Sequence, residues 1–280
     1  MFKNILVHVP SERPVRPVID VAVSLAFAHR AHLDAVAIGY ESLSSVGLVA
    51  EGGSAAVAVA MEVEQEQALV RANAAISVFE VEAKLAKIAY RTRTIASIPA
   101  EAAETIGALA RLYDLSVVLQ PDSSFSSYDN DIPQEILFNS GGPMLMVPYI
   151  HKGPLDIKHV GIAWDGGRLA ARALRDALPF ITAAQAVTVI VVNEDPSDTG
   201  ESNSVELISH LTRRGINARV ERLMADQVSV HGAILSIAAD RNIDLLVMGG
   251  YSHSRLQERI LGGVTRAMFE SMTVPVLMSH

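Results

Sequence analysis

Short unbroken apolar runs alternate along this 280-residue chain with longer segments whose apolar residues recur at helical spacing, and the whole series occurs twice. In the first half, 3–9 reads as a strand and 13–30 as an amphipathic helix with Val18, Ala22, Leu25 and Ala26 on one face. A second strand at 33–40, a long helical pattern at 58–87, a strand at 89–98, a helix at 101–113 and a strand at 115–120 follow. A short helix at 132–139 and a fifth strand at 143–149 close the series. The second half repeats it, with strands at 159–164, 186–193, 216–223, 244–249 and 274–279 and helices at 168–183, 203–214, 229–241 and 256–271.

Parallel strands need a crossover long enough to hold a helix, and the crossover helices cover both faces of the sheet. The pattern therefore predicts an α/β chain of two Rossmann-like, doubly wound, parallel five-stranded sheets. The Gly153-Pro154 breaker after Tyr149-Ile150-His151-Lys152 divides the units into 1–152 and 155–280. The first unit carries an extra stretch at 42–57, rich in small residues with paired glycines, which reads as a surface loop, with a lid or an interface segment as the alternatives.

A net charge of −8 and a pI near 5.6 argue against nucleic acid as a partner, because phosphate binding needs clustered Lys and Arg. The first residues run straight into a strand without a secretory pattern, and every apolar stretch is interrupted before it reaches membrane-spanning length, so a soluble, cytoplasmic protein is expected. The lack of cysteine removes disulfides, thiolate zinc sites and cysteine nucleophiles.

In open parallel sheets ligands bind at the carboxyl ends of the strands, where strand order reverses and helix N-termini point inward. In the second half these loops are Ala163-Trp164-Asp165-Gly166-Gly167-Arg168 and Met248-Gly249-Gly250-Tyr251-Ser252-His253-Ser254-Arg255, the latter running on to Leu261-Gly262-Gly263-Val264-Thr265-Arg266. The second loop resembles the nucleotide-binding loop of the universal stress protein family, in which a strand ends in Met-Gly and the spacing G-x2-G-x9-G-[ST] follows. Gly249 and Gly262 fall on the first and last glycines; Ser252 replaces the middle glycine and Gly263 the Ser or Thr. Leu256, Ile260-Leu261 and the closing Val274-Pro275-Val276-Leu277-Met278 also fit the family.

The resemblance implies an adenine nucleotide alpha hydrolase-like fold and a stress-response module that binds an adenine nucleotide, ATP with magnesium, in the C-terminal unit. Asp165 would meet the adenine or ribose, Ala163 and Val192 would flank the base, and Met248, Gly249, Ser252, His253, Gly262, Gly263, Val264 and Thr265 would form the phosphate end. It also implies a tandem pseudo-dimer paired through the fifth strands, with a homodimer of whole chains as a further state. Glycines there let the backbone approach phosphate oxygens. Ser252 offers a hydroxyl at a steric cost, and Gly263 keeps its N–H while losing a hydroxyl. The plain structural alternatives are an N-cap or Asx-turn for Asp165, core packing for Val192, a solvent-facing His253 and glycines that only close a turn.

The first half has Pro10 where the second has Asp165, and Gln120-Pro121-Asp122-Ser123-Ser124 in place of the glycine series, so it is not expected to bind nucleotide in the family's manner. Its serines at 123, 124, 126 and 127 read as a solvated loop and His8 as a hydrogen-bonded core residue. No acid, base and nucleophile constellation defines a turnover. Two alternatives to a binding module stay open: a tandem scaffold without nucleotide, and a magnesium-dependent hydrolase in which Asp165 helps to hold the metal.

Overall fold

The computed structural model describes residues 1–41, 54–194, 203–226, 230–250 and 263–280. Ten strands form one sheet: β1 (Asn4–His8), β2 (His32–Tyr40), β3 (Tyr90–Ser97), β4 (Leu115–Leu119), β5 (Met144–Val147), β6 (His159–Ala163), β7 (Ala186–Val192), β8 (Ala218–Leu223), β9 (Leu245–Gly249) and β10 (Val276–Ser279). Their order is β3-β2-β1-β4-β5-β10-β9-β6-β7-β8, so the same five-strand order is read inward from either edge. All neighbours run parallel except β5 and β10, which pair antiparallel with Leu145 opposite Leu277. The two expected five-stranded sheets are thus continuous in one ten-stranded sheet.

The described helices are α1 (Arg16–His29), α2 (Ser54–Ala86), α3 (Pro99–Ala110), α4 (Ile132–Asn139), α5 (Arg168–Asp176), α6 (Leu178–Ile181), α7 (Ser204–Arg213), α8 (Val230–Asp240) and α9 (Gly263–Ser271). One core joins α1, α2, α5, α6 and α7 to a face of the sheet, around Ile19, Phe79, Leu174, Phe180 and Leu207. A second core joins α3, α4, α8 and α9 to the other face, around Ile106, Ile136, Ile234 and Met268. Central strands such as Leu115–Leu119 are buried at every position, as two covered faces require.

Two helical expectations are modified. The helix expected over 168–183 is divided into α5 and α6, with Pro179 in the first turn of α6, where its missing N–H removes no bond. The helix expected from 58 begins at Ser54, and residues 42–53 of the inserted stretch lie outside the described residues. Among the described residues no helix is long and apolar enough to cross a membrane.

The seating of α2 depends on Gly39 of β2: a Cβ there would stand 2.0 Å from the Ala68 carbonyl oxygen, backbone that cannot turn aside. Gly39→Ala is expected to cost about 1–3 kcal/mol through displacement of α2, read as a lower urea midpoint in equilibrium unfolding.

Candidate functional site

The order β9-β6-β7 marks a switch point, since the chain leaves β6 towards β7 on one side and returns to β9 on the other. At the carboxyl ends of these strands lies a cavity of about 280 Å³. Ala163 and Asp165 enter it from the end of β6, Val192 from β7, Met248 and Gly249 from β9, and Gly263, Val264 and Thr265 from the first turn of α9 as described. The fold brings these sequence-selected residues to one place; Ser252, His253 and Gly262 lie outside the described residues.

The pattern alone did not select Trp164, Leu169, Ala170, Ile190, Val230 and Ile234, which also line the cavity. Two signals could have found some of them. Ile190 and Val192 alternate on one face of β7, and Val230 and Ile234 stand one helical turn apart on α8.

Local geometry explains how the polar end is held. Asp165 is exposed, and its Oδ1 accepts from Gly167 N at 2.8 Å, an Asx-turn that leads through Gly166 at φ 71° into α5. The cap position of α5 is Gly167, with no side-chain cap, so Asp165 shapes the turn before the helix without capping it. Gly249 has a requirement of its own: a Cβ there would meet Ala170 N at 2.7 Å, so the close approach of β9 to α5 already demands glycine. Gly263 has open space where a Cβ would lie, whereas Thr265 is buried. Among the described residues no group of three His, Asp or Glu is placed to hold a metal ion.

Strand registers give the matching positions in the first half. His8 pairs with Val36 as Ala163 pairs with Ile190, and Ile5 pairs with Leu115 as Val160 pairs with Leu245. His8 therefore stands where the second half has Ala163, and Ile38 stands where it has Val192. The space beyond is filled by the protein's own groups. Tyr40 Oη donates to Asp129 Oδ1 at 3.0 Å, and Glu12 N donates to Asp129 Oδ2 at 2.9 Å. Arg13 Nη1 donates to Gln120 O at 2.6 Å and to Asn130 Oδ1 at 2.9 Å. Ser127 Oγ and Tyr128 N donate to Glu12 Oε2, pinning the short 3-10 helix Tyr128–Asp131. Part of the serine-rich loop is therefore engaged by the protein, while Ser124 bonds Asp122 at the surface.

His8 is the buried core residue expected, but its Nε2 makes no hydrogen bond, and Asp129 Oδ1 lies 3.6 Å away. Burial lowers the His8 pKa from 6.5 to about 3. Burial also pushes Asp129 up from 3.8 to about 6, against the lowering effect of its bonds from Glu12 N and Tyr40.

Comparison with known proteins bears on the family and the fold. A model of the universal stress protein family matches residues 156–280. A universal stress protein of Synechocystis sp. is 31% identical over 109 residues, covering 39% of this chain, so the chain spans only 35% of that relative's length. A universal stress protein from Archaeoglobus fulgidus superposes with a TM-score of 0.69 at 15% identity, covering 98% of this chain and 97% of that one. A functionally unknown protein from Pseudomonas aeruginosa PAO1 superposes with a TM-score of 0.58 at 15% identity, covering 99% and 92%. At these identities the structural likeness is one of fold.

The paired titrations of the first half have opposite signs. Between pH 3 and 6.5 the unfolded chain binds more protons at His8, so that group removes stability as pH falls. Between pH 3.8 and 6 the folded chain binds more protons at Asp129, so that group removes stability as pH rises. Asp129→Asn leaves His8 unopposed, and its urea midpoint should fall more steeply than that of the wild type as pH drops from 6 to 3.8; parallel slopes would refute the assignment.

Proposed function

Through residues 156–280 the chain belongs to the universal stress protein family, and we propose that its C-terminal half binds an adenine nucleotide, ATP with magnesium, as the ligand of a stress-response module. The observation that carries this reading is the meeting, in one cavity, of an apolar slot, a carboxylate and the first described turn of α9. Ala163, Ile190, Val192 and Ile234 offer the flat apolar surface that a purine fills, which excludes water from both ring faces. Asp165 accepts a hydrogen bond from a ribose hydroxyl. Gly263, Val264 and Thr265, the first described residues of α9, border the same cavity, and the phosphates would lie against their backbone.

The size suits a nucleoside. At about 280 Å³ the cavity lies near the lower end of the ~300–1,000 Å³ usual for small-molecule pockets, so the phosphates would extend past Gly263. Magnesium would arrive on those phosphates, with Asp165 as a nearby carboxylate and no protein cage of its own. Units 1–152 and 155–280 act as a scaffold half and a binding half in this reading, with the first crevice filled by Tyr40, Asp129 and Arg13.

Trp164 is the sole tryptophan of the chain and lines the cavity, so it reports occupancy without a label. Titration with ATP and magnesium should quench its fluorescence to saturation. Val192→Phe, which narrows the slot, should weaken binding at least tenfold; Asp165→Ala should weaken it by about 10–100-fold, the worth of one hydrogen bond to a charged group. An unchanged spectrum at millimolar ATP would overturn the proposal.

A further inference from the structure

Helix α2 is apolar along two opposite faces. Its inner face, with Ala68, Ala72, Ile76, Phe79 and Ala83, is buried against the sheet. On the outer face, Val59, Val63, Val70, Ala74, Val81 and Leu85 are exposed, four of them strongly: Val59 by 60%, Val70 by 62%, Val81 by 55% and Leu85 by 72%. At about 100° per residue, eleven residues make just over three whole turns. Val59, Val70 and Val81 therefore form one row along the helix, and Val63, Ala74 and Leu85 form a second row beside it. A helix that covers a sheet keeps polar residues on its solvent side, and valine there lowers helix propensity without the gain of burial. Among the described residues nothing covers this stripe.

We propose that the outer face of α2 is the surface through which two copies of this chain associate, as an antiparallel helix pair with its two-fold axis level with Ala72. The stripe maps onto itself when the helix is reversed about that residue. Val59 comes opposite Leu85, Val63 opposite Val81 and Val70 opposite Ala74, while the two polar interruptions, Gln67 and Ser77, also come opposite each other. A foreign apolar partner would need the stripe but not its reversal symmetry; a closed two-fold contact between identical chains needs both. The antiparallel arrangement also opposes the two helix dipoles.

The area is sufficient. At roughly 100 Å² for each exposed valine or leucine, the pair would remove on the order of 1,000 Å² from water, the level a specific interface has to reach. Each copy contributes about half of that, roughly 500 Å², towards the upper end of the ~300–600 Å² usual for the largest apolar patch of a monomer.

Sedimentation equilibrium of the full chain should show a monomer and dimer in exchange, and Val70→Glu with Val81→Glu should leave monomer of unchanged circular dichroism and melting temperature. The register has a separate test, because the chain contains no cysteine. Val59→Cys and Leu85→Cys, made singly and mixed under mild oxidation, should give a disulfide-linked dimer that neither variant forms alone. In the antiparallel pair two copies of position 59 stand about 39 Å apart along the helix, far beyond disulfide reach. A wild-type chain that stays monomeric at every concentration, a dimer indifferent to the two glutamates, or cross-linking by Val59→Cys alone equal to that of the mixture would overturn the proposal.

Discussion

The antiparallel ladder between β5 and β10 is the contact on which the rest of the molecule depends. Met144, Leu145 and Met146 pair with Met278, Leu277 and Val276, and all six are fully buried. Without this ladder each half would present an apolar edge strand with unpaired main-chain groups, the condition that drives aggregation. With it, the edges of the sheet among the described residues are β3 and β8, where Arg91, Arg93, Arg219 and Arg222 place charge. Gln120 adds a polar tie across the same seam, with Nε2 donating to Phe269 O at 3.0 Å.

The two halves share strand order and registers and differ at their carboxyl ends. In the second half, small and aliphatic residues leave a cavity beside the start of α9. In the first, His8 replaces Ala163 in register, and Tyr40, Asp129, Glu12 and Arg13 close the crevice through hydrogen bonds between segments far apart in sequence. Two halves of the same strand order thus carry one open crevice and one filled by its own side chains. Buried polar groups are costly unless paired, and the extent of pairing around Asp129 shows how that cost is met.

The strands were legible because a strand covered on both faces is written as a short continuous apolar run between breakers; 115–120 and 143–149 come within two residues of the observed β4 and β5. Periodicity says that a residue is buried, but not where on the molecule, so Ile234 and Ile190 read as core until the fold set them beside Val192. Pro10 and the missing glycines predicted a first half without the family's loop, yet the filling of that crevice rests on contacts such as Glu12 to Tyr128 and Tyr40 to Asp129, which no local pattern records. Gly249 shows the reverse case. Family spacing assigned it to phosphate, while the approach of Ala170 N would require glycine there with or without a ligand. The helical pattern of α2 was equally plain, but the opposition of its buried and exposed apolar faces emerged only once Gly39 and Ala68 had fixed which side meets the sheet.

The central claim, one open nucleotide crevice per chain, is tested most directly by the stoichiometry of ATP binding in isothermal titration calorimetry of ligand-stripped protein with magnesium. A single saturable site per chain is expected. Two sites per chain would mean that the first crevice opens despite its internal hydrogen bonds, and the absence of any site would mean that the cavity beside Asp165 is not a nucleotide site; either result would contradict the account.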